Sequence, residues 1–231
     1  MIYGTPTMVT NNLVLHLDFV NTKSYSGSGS IVTDMSGSQN NGTLINSPAF
    51  SNEFGGGLIF NGSNNWINMG TNSSHVFSGS YTISIWIKNT TTTSTNEFVV
   101  LNGFGTLNGS QLNYALRKLS NVYIWYLSDG SNIYTLSSNT TINTNITNIV
   151  LSMDANGSTT IYINGSTDKT ITSYYSTYSG VRNELAISGL ANGGGTNFLT
   201  GNIYQLSMYN RSLSFNEVNQ NFNTIRTRYN I

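Results

Sequence analysis

Cysteine is absent from the 231 residues, proline occurs twice, and Asp, Glu, Lys and Arg together make up only 8% of the chain. The missing cysteine excludes disulfides, thiolate metal sites and cysteine nucleophiles. With 9 basic residues against 9 acidic ones, the chain lacks the basic face that nucleic acid requires and the polybasic patch that draws proteins to anionic membranes. No apolar run approaches the roughly 20 residues of a membrane span, so no membrane insertion is expected. The first residues show neither the basic nor the apolar region of a secretory signal.

Asn, Ser and Thr take the place of charge and fill about two-fifths of the chain. Disorder does not follow, because 38% of residues are hydrophobic and 12% aromatic, and these alternate with polar ones. In Leu13-Val-Leu-His-Leu-Asp-Phe19, Leu13, Leu15, Leu17 and Phe19 share one face, with His16 and Asp18 on the other, exposed one. In residues 81–87, Ile83, Ile85 and Ile87 oppose Ser84 and Trp86. Further short runs cover residues 58–60, 66–69, 98–101, 113–116, 122–127, 133–137, 149–154, 159–163, 185–187 and 201–209. Short strands between Gly, Asn and Ser turns predict an all-β, two-sheet antiparallel sandwich or jelly roll. Asn156-Gly157 is the strongest hairpin signal and predicts a type I′ turn. One short C-terminal helix is expected near residues 214–227: Ser214 and Glu217 form a capping box, Leu213 staples Val218, and Val218, Phe222 and Ile225 make an apolar stripe. Residues 1–12 read as a separate N-terminal arm preceding a domain over 13–231. Its apolar Ile2, Tyr3, Met8 and Val9 are expected to be assembly contacts.

Six segments, in order, resemble the laminin-G-like branch of the concanavalin-A-like lectin/glucanase superfamily. They are Asn12-Leu-Val-Leu-His-Leu-Asp18, Asp34-Met-Ser-Gly-Ser-Gln-Asn-Asn-Gly-Thr-Leu44, Phe60-Asn-Gly-Ser-Asn-Asn-Trp-Ile67, the Trp86 strand, Ile161-Tyr-Ile-Asn-Gly165 and residues 201–217. The resemblance implies a jelly roll whose first and last strands are neighbours. It also implies a calcium site built from Asp18, Asp34, Asn61, Asn64 and Asn65, although Asn stands at 61, 64 and 65 where the family usually has Asp. A metal-free structural loop is the other reading of the same residues. The segments 10–18, 23–29 and 221–229 look particularly like such domains in tailed-bacteriophage structural proteins.

Catalytic chemistry finds little support. Related glucanases carry Glu-x-Asp-x-x-Glu on one strand, whereas here no two acidic residues are closer than the 14 positions from Asp154 to Asp168. His16 and His75, the only histidines, have no nucleophile elbow to serve and read as surface or satisfied side chains. The glycine-rich 102–105 and 193–195 lack the Lys-Ser/Thr of a phosphate loop. No catalytic residue and no organic cofactor is therefore expected. Tyr123, Trp125, Tyr126, Tyr174, Tyr175 and Tyr178 are candidates for sugar stacking, because rings pack on pyranose faces while amides bond hydroxyls. Alternation equally allows several of them to be packing residues.

The expectation is a non-enzymatic virion protein of a tailed bacteriophage, made in the host cytoplasm and exposed on the particle surface as capsid decoration or a fibre subunit. It would join other virion proteins through its arm, form a homo-oligomer, and touch host surface glycans weakly. A free-standing lectin and a glycoside hydrolase are the alternatives.

Overall fold

Alternating apolar residues become two antiparallel eight-stranded sheets packed face to face in the computed structural model, which describes residues 7–92, 94–103, 107, 109–172, 184–190 and 197–231. Strands are numbered in chain order. The first sheet runs β14 (Ser166–Ile171), β13 (Thr159–Ile163), β12 (Ile146–Met153), β7 (Tyr81–Asn89), β16 (Thr200–Tyr209), β5 (Gly57–Asn61) and β4 (Ala49–Ser51), with β1 (Leu13–Asp18) also on β16. The second runs β11 (Ile133–Thr141), β10 (Val122–Ser128), β9 (Leu112–Ser120), β8 (Ser94–Gly103), β15 (Glu184–Ile187), β6 (Trp66–Thr71), β3 (Gly42–Ile45) and β2 (Ile31–Val32). First and last strands are neighbours, as the resemblance implies: Leu13 pairs with Tyr209 and Asp18 with Gln205. One edge of β16 is shared between β5 and β1, and β7 lines the other.

Leu15, Leu17, Ile83, Ile85, Ile87, Leu206 and Met208 from the first sheet face Leu116, Tyr123, Trp125, Leu127, Ile67 and Leu185 from the second. Outer faces differ. That of the first sheet is covered by α1 (Phe215–Ile225), where the Ser214–Glu217 capping box forms as the spacing predicts. Val218 packs with Leu213, Val150 and Tyr209. The Phe222 ring lies parallel to Trp86 at 5.6 Å. After Ile225 the chain tightens into a 3₁₀ turn, Arg226–Tyr229, which brings Tyr229 to within 4.8 Å of Trp86 and 5.3 Å of Tyr204.

Turn geometry corrects one expectation. At Asn156-Gly157 only Gly157 has positive φ, and Asp154 N–H bonds Ser158 O while Gly157 N–H bonds Asp154 O, so the hairpin has a longer loop than a type I′ turn allows. The Asn164-Gly165 turn between β13 and β14 has both residues left-handed, at φ 50° and 76°. Gly165 is required twice over, since a Cβ there would sit 2.7 Å from Phe222.

The arm also departs from expectation. Residues 7–12 dock on their own domain: Val9 N–H donates to Asn221 Oδ1 at 2.8 Å, Tyr209 Oη donates to Val9 O at 2.9 Å, and Gln220 Nε2 donates to Thr7 O at 2.7 Å. Val9 packs on the Val150–Tyr209–Leu213–Val218 cluster, and Met8 lines a narrow space under α1. Intramolecular burial thus claims Met8 and Val9, which were expected at a neighbour's surface. Ile2 and Tyr3 lie outside the described residues.

Deleting residues 1–10 should therefore weaken the domain itself, by about 2 kcal/mol for the lost hydrogen bonds and apolar cover. Ser214→Ala, which removes the cap alone, should cost about 1 kcal/mol. Urea unfolding measures both; an unchanged midpoint for the truncated chain would contradict the docking.

Candidate functional site

Between β4 and β5 the chain makes a tight turn at residues 52–56. Ser51 Oγ accepts from Glu53 N–H, and Gly55 and Gly56 N–H donate to Asn52 O and Glu53 O. Phe54 is held in left-handed backbone, φ 55° and ψ 28°, a conformation bulky side chains rarely adopt and one that gathers at functional positions. Gly56 makes it reachable: at φ 149° its Cβ position lies 2.4 Å from the Phe19 carbonyl oxygen, so no side chain fits. The Phe54 ring meets Tyr204 and Tyr229 edge to face, both at 6.2 Å. Lys88 Nζ lies 5.5 Å from the ring centroid and 2.7 Å from Glu53 Oε1.

Two open depressions meet at this half-buried ring, and a third adjoins them. One is lined by Asp18, Val20, Asn21, Thr22, Phe54, Gly55 and Arg228. The next shares Phe54 and adds Lys88, residues 143–146, Asn164, Tyr229 and Ile231. The third shares Lys88 and Thr144 and adds Glu53, Asn89, Thr90 and Asn202. Charges here cancel in pairs, Lys88 with Glu53 and Arg228 with Asp18 at 2.7 Å each. What remains is amides, hydroxyls and rings. Asn89 Nδ2 donates to Tyr123 Oη at 2.6 Å and to Asn143 O at 3.0 Å, fixing the amide. Asn89 Oδ1 and Tyr229 Oη are buried with no hydrogen-bond partner, unmet capacity beside the groove. Burial raises the Tyr229 phenol above its ordinary pKa, and that of Tyr204 to about 12, so both stay protonated.

Of the expected sugar-stacking residues, Tyr123, Trp125 and Tyr126 are described, and none of the three lines this groove. Tyr123 and Trp125 are 1% and 0% exposed, because the inward side of β10 is the one carrying Tyr123, Trp125 and Leu127; they are core residues. Tyr126, on the opposite side of that strand, is half-exposed. Tyr174, Tyr175 and Tyr178 lie outside the described residues. Phe54 escaped the sequence reading, although an aromatic ahead of Gly55-Gly56-Gly57 and outside any alternating run was a usable signal.

The five residues of the expected calcium site are each committed locally. Asp18 is paired with Arg228. Asp34 accepts from His16 N–H, Ser36 N–H, Ser36 Oγ–H and Asn40 N–H. Asn61 Oδ1 accepts from the Ser63, Asn64 and Asn65 amides, and its Nδ2 donates to Asn64 Oδ1. Asn65 Nδ2 donates to Asn46 O. These bonds close two separate turns, and no group of three His, Asp or Glu residues suited to a metal occurs among the described residues.

A family model described as the concanavalin A-like lectin/glucanases superfamily matches residues 61–219. The chain belongs to that superfamily. Among solved structures it is similar to the binding domain of Paraclostridial Mosquitocidal Protein 1, with 18% identity and a TM-score of 0.71 over 92% of this chain and 52% of that one. Domain 4 of an extracellular arabinanase from Geobacillus stearothermophilus, in complex with arabinotriose, is 19% identical with a TM-score of 0.69, over 90% of this chain and 97% of that one. The binding domain of Botulinum Neurotoxin DC in complex with SialylT is 13% identical with a TM-score of 0.70, over 94% and 52%. This superfamily member therefore spans about half of the first and third chains and nearly all of the second. At such identities the likeness is one of fold. No curated protein matches by sequence.

Both histidines are buried, His16 at 8% and His75 at 0% exposure, so of the two readings, surface or satisfied, the surface one fails for both and the satisfied one holds for His16. His16 Nδ1 lies 2.9 Å from Ser207 Oγ. His75 sits in a Ser-rich turn but is covered by distant strands, its carbonyl accepting from Tyr114 Oη, and neither ring nitrogen has a partner. Burial pushes the His75 imidazole down from 6.5 to about 4, against a smaller opposing effect of Asp34. The folded state thus disfavours protonation, so stability is complete above pH 6.5 and erodes as pH falls toward 4, by up to about 3 kcal/mol. Replacing His75 with Leu should leave stability near pH 7 within about 1 kcal/mol. Between pH 7 and 4.5 the variant should lose visibly less than wild type in urea unfolding. Equal losses would place the acid sensitivity elsewhere.

Proposed function

We propose that this chain is a non-catalytic carbohydrate-binding module whose groove around Phe54 takes neutral sugars. The observation that carries this reading is the convergence of a half-exposed ring and neutral amides in a groove whose charges are internally paired. A ring offers a stacking face, and Asn21, Asn145 and Asn202 offer both donors and acceptors to hydroxyls. Superfamily membership is compatible with binding, and fold neighbours described as binding domains or seen with arabinotriose and SialylT support it. The carboxylates at the groove, Asp18 and Glu53, are tied to cations, which disfavours the proton exchange that acid–base catalysis needs.

The wider setting we propose is the surface of a tailed-bacteriophage particle, with the module as a decoration or fibre subunit attached through residues 1–6. Phage-like segments at 10–18, 23–29 and 221–229 support it. A neutral shallow groove binds each sugar in roughly the millimolar range, about −4 kcal/mol, and many copies on one particle supply avidity.

A glycan array probed with the full chain should show neutral oligosaccharide binding that changes little between low and high salt. Phe54→Ala should weaken it at least about tenfold, since hot-spot rings carry more than 1 kcal/mol. Binding indifferent to Phe54 would move the site elsewhere. Mass spectrometry of purified particles tests the setting: stoichiometric copies support it, while sugar binding by a protein absent from particles supports a free-standing lectin.

A further inference from the structure

The candidate groove crosses the strands instead of following them. Asp18 pairs with Gln205, Gln205 with Trp86, and Trp86 with Asn148. Asn164 N–H donates to Asn148 O, and Asn164 Oδ1 accepts from Asn148 N–H. One row of backbone neighbours thus leads from β1 through β16, β7 and β12 to the turn after β13. Asp18 at its start lines the first depression, and Asn164 at its end lines the second. Four steps between neighbouring strands, each about 4.8 Å, separate the two ends by about 19 Å. The next outward-facing row, Asn202–Lys88–Ile146, lines the second and third depressions.

The depressions are ordered along this path. Phe54 stands where the first meets the second, and Lys88 where the second meets the third. The first and third have no described lining residue in common. They are therefore strung in a line rather than gathered round one point. Each opens to solvent, and the residues that line them are all described. A single sugar stacked on Phe54 leaves polar groups unused on both sides of the ring: Asn21 and Thr22 in the depression of Asp18, Thr144 and Asn145 in that of Asn164.

We propose that the groove takes an internal stretch of an unbranched neutral glycan, three or more units long, with one unit on Phe54 and a neighbour in the depression on either side. The inference rests on the carbohydrate reading of this groove and adds to it the length and shape of the ligand. A pocket for a chain end is closed beyond the terminal unit. Here the depressions continue past the ring in both directions, so a chain enters at one end and leaves at the other. Each added unit brings hydroxyls to further amides and hydroxyls of the protein, and binds from a position its linked neighbour already holds.

The full chain is titrated by NMR with glucose and with the cello- and malto-oligosaccharides of two to five units. In at least one series affinity should rise about tenfold from glucose to the trisaccharide, as a few added hydrogen bonds supply, and level off by the pentasaccharide. Fixing the reducing end of the tetrasaccharide as its methyl glycoside should leave its affinity unchanged. Hydroxyethylcellulose or amylose, whose units are almost all internal, should displace the tetrasaccharide of the matching linkage. Thr22→Ala and Asn145→Ala, at exposed positions on either side of the ring, should each lower trisaccharide affinity by more than glucose affinity. Phe54→Ala should weaken every length. A trisaccharide bound no more tightly than glucose, with glucose binding still sensitive to Phe54→Ala, would overturn the chain inference and leave the sugar-binding groove standing. A gain with length untouched by both flanking substitutions, or a polymer that fails to compete, would do the same. Length-dependent binding indifferent to Phe54→Ala, or no binding of either series by wild type, would overturn the inference and the groove together.

Discussion

Trp86 points out of the sandwich rather than into it, and the outer architecture hangs from that one ring. Its neighbours on β7, Ile85 and Ile87, face the inter-sheet core, so alternation alone turns Trp86 outward. A bare indole there would be a large exposed apolar patch. Phe222 stacks on it from α1, Tyr229 tilts onto it from the following 3₁₀ turn, and Tyr204 joins Tyr229 from β16. Phe54 then leans edge-on against Tyr204 and Tyr229. The candidate groove is the last link of a run of ring contacts that begins in the sheet, so helix docking and site geometry are coupled by packing.

Sparse charge shapes the rest. Ion pairs at Lys88–Glu53, Lys118–Glu97, Arg211–Glu217 and Arg228–Asp18 use up nearly half of the acidic residues, and the Arg211 fork, helped by the Ser214 cap, holds the Glu217 carboxyl down at about 2. Long-range steering is weak on such a surface. The contacts such a surface can offer are short-range ones, from amides, hydroxyls and rings.

Much of the fold was legible. Period-2 runs marked the core strands, Ser214 and Glu217 marked the helix start, and six family-like segments implied the neighbouring first and last strands that Leu13–Tyr209 pairing displays. The site was less legible, for a specific reason. Alternation divides β10 into Tyr123-Trp125-Leu127 and Ile124-Tyr126-Ser128 but does not say which set faces inward; packing against Leu116 and Leu136 decided that. Met8 and Val9 looked like sticky residues outside the domain pattern until α1 was folded back beside them.

The amino-acid sequence by itself determined the class of fold, the alternation within each strand, the helix cap and the near-neutral surface, because these depend on neighbours a few positions apart and on composition. Only the tertiary structure decided which face of a strand is wet, that His75 is sealed under strands far away in the chain, and that Phe54 meets Lys88 and Tyr229 in one groove. Those outcomes depend on contacts between residues separated by tens to hundreds of positions, whose energies are set by packing rather than by local pattern.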